Sequence, residues 1–149
     1  RRPNVKLILQ EDKSLKETII DITYSVLDWR VQKVIEIAEM GTVQLEGAKE
    51  EHIYLLDSSE IFYIESVDNT SFLYTESEVF ENKEKLYALE NILKNSTFIR
   101  INKSTILNMN YLQSVHPLPN YRLEANLKNG EKLIISRHYM KDIKQYTKL

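Results

Sequence analysis

Apolar and polar positions first alternate over residues 5–10 (VKLILQ), the period of a half-buried strand. A second stretch, 17–24 (ETIIDITY), is rich in β-branched residues and predicts another strand, with Glu11-Asp12-Lys13-Ser14 as the polar turn between them. From Leu27 the period lengthens. Leu27, Val31, Val34, Ile35 and Ala38 share one face, which predicts an amphipathic helix over 27–40 that stops at Gly41. Asp28 adds a negative charge to its first turn. Together these residues form a small β-β-α element, too short to bury a core of its own.

Residues 42–51 are polar around Gly47 and predict a weak strand or a linker. From His52 onward, short aromatic and β-branched runs follow at 52–57, 61–67, 71–76 and 78–81. Asp57-Ser58-Ser59 and Asp68-Asn69-Thr70 separate them as turns. A helix is predicted over 84–94, with Leu86, Leu89, Ile92 and Leu93 on one stripe. Further strands fall near 98–102, 112–116, 121–127 and 132–136, and a last helix near 138–147 carries Met140, Ile143 and Tyr146. Pro117-Leu118-Pro119-Asn120 is expected to break one connection. Asn129-Gly130 signals a hairpin in which both turn positions take positive φ. The pattern divides the chain into an N-terminal extension, 1–47, and a mainly β stretch, 48–149, with two short helices.

Composition narrows the chemistry. The chain has no cysteine, which excludes disulfides, thiolate nucleophiles and Cys-based zinc sites. Its three histidines, His52, His116 and His138, lack metal-ligand spacing, and three glycines cannot build a phosphate loop. No catalytic residue, metal ligand or cofactor site is singled out, so a non-enzymatic protein is expected. No apolar run approaches the ~18 residues of a membrane span. Arg1-Arg2-Pro3-Asn4 leads into an amphipathic strand rather than a signal-type stretch, so a cytoplasmic location is expected.

Charge is segregated along the chain. Residues 50–97 carry three basic and eleven acidic side chains, whereas residues 98–149 carry nine basic and three acidic. The basic third suits a polyanion; the alternative is neutralisation of the two thirds against each other across the folded core.

The densest chemistry lies in residues 98–108, Phe98 to Asn108. Phe98, Ile99 and Ile101 look like strand anchors, while Arg100, Asn102, Lys103 and Ser104 crowd hydrogen-bond donors into five positions. Such groups suit backbone phosphates and base edges. Downstream, Asn129-Gly130-Glu131 precedes Leu133-Ile134-Ile135-Ser136-Arg137, which places Arg137 where a strand enters a helix. The order F-x-R-x-x-K-S-x-x-x-N, a strand, an N-G-E hairpin and I-S-R resembles the LytTR family of bacterial DNA-binding domains. Glu60 to Asn69 resembles that family's first strand and loop, and 83–95 its following helix.

The resemblance covers roughly residues 48 to 149 and implies a mainly β fold of antiparallel strands in small packed sheets, and a transcription regulator. Such domains read double-stranded DNA through loops, at imperfect direct repeats, with contacts in successive major grooves. Carried onto this chain, it implies Asn102 and Lys103 from the loop before Ser104, Arg137 from the strand-to-helix corner, and Asn69, Thr70 or Ser71 from the first hairpin. Arg100 and Ser104 would hold phosphates. For Arg100 a salt bridge to an acidic residue of 50–97 is an equal alternative, and Asn108 is expected to fix a turn. Asn102-Lys103 departs from the His, Arg or Asn many members carry there, and lysine lacks the planar fork of arginine. Residues 1–47 are too short for a receiver domain. The arrangement resembles stand-alone LytTR regulators, which implies a homodimer contact or docking of a small membrane-protein regulator through residues 1–47. Capping of a sheet edge is the plainer role for that element. A protein-interaction or sensing module that has lost DNA binding is the alternative function.

Overall fold

A computed structural model describes residues 4–39 and 43–147. The chain divides into two compact units, with the break after Glu39.

In the first unit the helix expected from the apolar face forms as α1 (Trp29–Glu39). Asp28 acts as its N-cap: the carboxylate accepts from the backbone N–H groups of Arg30 and Val31, both at 3.1 Å. The predicted stop at Gly41 lies outside the described residues. The two strands predicted over 5–10 and 17–24 do not form: residues 4–28 are turns and irregular backbone. Only the turn between them is present, closed by Asp12, whose carboxylate accepts from the Ser14 backbone N–H at 3.0 Å and its hydroxyl at 2.6 Å. Those two bonds hold the Asp12 carboxyl below its ordinary pKa. The physical reason for the missing strands is that alternation prepares a strand for a partner but does not supply one. Two strands without a third, or a covering layer, are marginal in water.

Among its described residues the second unit holds ten strands. β1 (Gln44–Lys49), β2 (His52–Asp57), β3 (Tyr63–Val67), β4 (Thr70–Tyr74) and β5 (Val79–Asn82) precede α2 (Leu86–Ile92). Then come β6 (Phe98–Asn102), β7 (Thr105–Asn108), β8 (Leu112–Leu118), β9 (Arg122–Leu127), β10 (Lys132–Ile135) and α3 (Met140–Thr147). Seven strands form one antiparallel sheet in the order β2-β1-β5-β4-β3-β7-β6, and three form a second, β10-β9-β8. The polar 42–51 stretch is thus a strand, β1, paired along its whole length with β2.

Each face of the large sheet buries one core. On one face Ile64, Leu73, Phe80 and Ile106 pack with Leu86 and Leu89 of α2. On the other, Tyr63, Ile101 and Leu107 pack with Ala125, Leu127, Leu133 and Ile135 of the small sheet and Ile143 of α3. β7 is buried at all four positions, Thr105 to Asn108. A strand covered on both faces shows no alternation, which is why the periodicity of the sequence does not reveal it.

Two local expectations are corrected. Strand β8 continues through Pro117, which pairs with Leu123, so the break falls at Pro119–Tyr121 instead. β8 is an edge strand of its sheet, where a missing N–H costs no ladder bond. In the β9–β10 turn, Gly130 alone takes positive φ (90°). Its N–H donates to the Leu127 carbonyl at 2.9 Å, and Leu127 N–H donates to the Glu131 carbonyl at 2.9 Å. This is a longer turn with one left-handed glycine rather than the two-residue form.

Candidate nucleic-acid interface

Three connections meet at one end of the large sheet. The β3–β4 hairpin turns at Asp68-Asn69, both at positive φ (50° and 64°), the geometry of the favoured two-residue hairpin. Asn69 is exposed at its tip, and its carbonyl accepts from Lys85 Nζ at 2.7 Å. The β6–β7 turn, Asn102 to Thr105, lies beside it because β3 pairs with both β4 and β7. Ser66 N–H donates to the Ser104 carbonyl at 2.8 Å. The third connection, from β10 into α3, is tied to β6: Ser136 N–H donates to the Ile101 carbonyl at 2.9 Å.

Arg100 organises the β6–β7 turn from within. Its Nε donates to the Asn102 carbonyl at 2.8 Å, a terminal nitrogen donates to the Lys103 carbonyl, and the other pairs with Glu90 of α2 at 3.2 Å. The side chain is mostly buried, at 18% exposure. Of the two roles the sequence leaves open for Arg100, the structure forms the internal ion pair.

Asn102 is also tied down. Its Oδ1 accepts from Ser104 N–H at 2.9 Å and from Ser104 Oγ at 3.1 Å, a side-chain-closed turn. Its Nδ2 donates to the Ile134 carbonyl at 2.8 Å and so couples the turn to the small sheet. The Ser104 hydroxyl is spent on that turn. Lys103 stands between these fixed groups with an exposed side chain, and Arg137 is exposed in the 3-10 turn Arg137–Tyr139 that opens α3. Asn108 is buried and fixes a turn: Nδ2 donates to the Ile61 carbonyl at 2.9 Å, while Oδ1 accepts from Thr97 Oγ1 at 2.7 Å and Asn110 N–H at 3.1 Å.

The sequence-predicted residues therefore separate into two groups. Lys103 and Arg137, with Asn69 at the hairpin tip, present free polar groups at the end of the fold. Arg100, Asn102 and Ser104 hold the turn that carries Lys103. Sequence reasoning gave Lys141 and Lys144 non-specific attraction or solubility and not a place in the site; both are exposed on α3, about one turn apart. Among the described residues no group of three or more His, Asp or Glu is arranged to hold a metal ion, and no helix is long and apolar enough to cross a membrane.

A family model described as the LytTr DNA-binding domain matches residues 51–148. The chain is 30% identical over 100 residues to the sensory transduction protein LytT of Bacillus anthracis, 67% of this chain and 41% of that protein. It therefore spans about two-fifths of the length of such relatives. Over 143 residues it is 29% identical to an uncharacterized HTH-type transcriptional regulator of Staphylococcus aureus, covering 95% of this chain and 97% of that one. The fold is similar to a solved LytTr DNA-binding domain of a putative methyl-accepting/DNA response regulator from Bacillus cereus. That match has TM-score 0.66 and 22% identity, and covers 74% of this chain and 99% of that one.

Proposed function

This chain belongs to the LytTr DNA-binding domain family, and we propose that it is a cytoplasmic, non-catalytic transcription regulator that reads imperfect direct repeats in double-stranded DNA. The observation that supports the reading is the tethering of three connections at one end of the large sheet. Ser66 to Ser104, Asn102 to Ile134 and Ser136 to Ile101 are each joined by a hydrogen bond of 2.8–2.9 Å. Rigid loops that present Lys103 and Arg137 suit base-edge recognition, because a reader held in place loses little freedom on binding. Arg137 offers a planar fork to guanine O6 and N7, Lys103 a point charge to the same atoms. Asn69 contributes at the adjacent hairpin, and Arg100, Asn102 and Ser104 position the loop, with backbone amides left to meet phosphate.

In this reading, the segment ahead of β1 makes a homodimer contact or docks a small membrane-protein regulator. Its support is the exposure of three large apolar side chains, Trp29, Val34 and Ile37, on α1. Deleting residues 1–39, which spares β1, should change oligomeric state or regulation in cells; no change in either refutes it.

The test of the main reading is selection from a pool of random duplexes, followed by anisotropy titration. A spaced direct repeat should be enriched. Arg137→Ala should weaken binding to the selected site by about 1–3 kcal/mol more than it weakens binding to random duplex. A folded protein that retains no duplex at low salt overturns the reading.

A further inference from the structure

The turn between β8 and β9 and the start of α3 border a shallow, open cleft of about 790 Å³, lined by Tyr121, Arg137, Met140, Lys141 and Lys144. We propose that this cleft is a second DNA contact, a seat for the sugar–phosphate backbone flanking the base edge met by Arg137. The proposal rests on the DNA-binding reading above.

Two independent features point to it. The first is charge. Among the described residues that line it, three of five are cationic and none is acidic. Elsewhere in this unit Lys49, Lys83, Arg100 and Lys132 each stand within 4.0 Å of a carboxylate, whereas Lys85, Lys94, Lys103, Arg122 and Lys128 do not, so what sets the cleft apart is that its cations are gathered in one place. Arg137, Lys141 and Lys144 have no such pair among the described residues. An unneutralised cationic cluster suits a phosphodiester, which is bound by displacing its counterions.

The second feature is Tyr121. Leu118 pairs with Arg122, and the three-residue connection between them takes positive φ at Asn120 (66°) and Tyr121 (59°). Asparagine tolerates that conformation, but a bulky aromatic there is an outlier. The ring is also 77% exposed, so it gains little from burial. Neither turn chemistry nor core packing selects tyrosine at 121. What its ring does is wall the cationic cleft, where a flat apolar face can lie against deoxyribose while Lys141 and Lys144 meet flanking phosphates. Met140 adds an apolar floor.

The same phosphate chemistry is offered by a small free nucleotide, so the experiment separates the two sources. The full chain is titrated with a random and a selected duplex across a salt series. Exchanging Lys141→Gln together with Lys144→Gln should make the slope of log affinity against log salt shallower by about 1.8, equally for both duplexes. Tyr121→Asn should weaken both duplexes by about five-fold, the low end of an aromatic–nucleotide contact. Its thermal midpoint should rise or hold, because asparagine fits the positive φ better. Loss of affinity with gain of stability is a combination that a purely structural tyrosine would not give. A wild-type salt slope in the double lysine variant, or wild-type affinity in Tyr121→Asn, overturns the proposal. So does a lysine variant that keeps its DNA slope while losing AMP binding, which would mark a free-nucleotide site. A wild-type chain that binds no duplex at low salt overturns this proposal and the DNA reading together, and is told apart from the other outcomes by the wild-type control.

Discussion

Replacing Arg100 by methionine keeps the stem of the side chain and removes its guanidinium, and so tests whether this residue holds the loop or holds DNA. Three contacts are lost: the bonds to the carbonyls of Asn102 and Lys103, and the pair with Glu90 at 3.2 Å. The three are not equal. Glu90 is 46% exposed, so the ion pair contributes under about 1 kcal/mol. Hydrogen bonds from a charged donor to the two turn carbonyls contribute more, about 1.5–3 kcal/mol each if removal leaves them unpaired. Both carbonyls lie near solvent and recover part of that through water. A net loss of about 2–3 kcal/mol follows. For a domain of this size that lowers the thermal midpoint by roughly 10 °C. Urea denaturation should show a reduced midpoint with an unchanged slope, since the buried surface is the same. Glu90→Gln, which leaves both carbonyl bonds in place, should cost under about 1 kcal/mol. DNA affinity should fall through disorder at Lys103, while the salt slope stays at the wild-type value because no phosphate contact is removed. Unchanged stability combined with a slope shallower by about 0.9 would refute this account and assign Arg100 to a phosphate.

Further predictions rest on packing and protonation. A Cβ at Gly47 would lie 2.8 Å from both Leu56 Cδ1 and Phe80 Cβ. The second contact is close to the backbone of the neighbouring strand, so Gly47→Ala should destabilise the unit by about 1–3 kcal/mol in chemical denaturation. Asn108→Ala leaves the Ile61 carbonyl and the Thr97 hydroxyl without their partner in the core, and should cost about 2–3 kcal/mol in the same assay. Tyr63 is buried, stacks on Tyr74 with ring centroids 4.2 Å apart, and faces Glu131 and Glu65; burial first, then those neighbours, raises its pKa well above the ordinary 10. Tyr74 is raised in the same direction. A raised folded-state pKa contributes stability that is complete below pH 10 and falls as pH climbs from there toward the folded value. Thermal midpoints should therefore drop above pH 10, and Tyr63→Phe should reduce that drop.

The site was legible in the sequence to an uneven degree. Arg137 could be placed because Ile134-Ile135-Ser136 ends a strand and an apolar helical stripe follows. Lys103 could be placed because a strand of Phe98, Ile99 and Ile101 runs into a donor-rich turn. Arg100, Asn102 and Ser104 looked like equal members of that donor cluster. Short polar side chains close turns and contact ligands with the same groups, so residue type cannot separate the two uses. The distinction came from partners remote in sequence: Ile134 for Asn102, Glu90 for Arg100.

The fold divides along similar lines. Aromatic and β-branched runs located β2 to β6, and an apolar stripe at helical spacing located α2. The two strands predicted over 5–10, from alternation, and 17–24, from β-branched content, stay irregular, because such patterns prepare a strand for a partner and do not record whether one is present. β7 shows the converse: it has no alternation because both faces are covered, and it became visible only once β3 and β6 were set on either side. By itself, then, the sequence determined the helical stripes, the turn at Asp68-Asn69-Thr70, the family motif and the segregation of charge along the chain. Tertiary structure alone decided the order of the sheet, the gathering of three distant turns at one end, and which donors are spent holding the loop. Hydrogen bonds and packing between residues far apart in the chain depend on where both partners lie, and no local stretch of sequence contains that information.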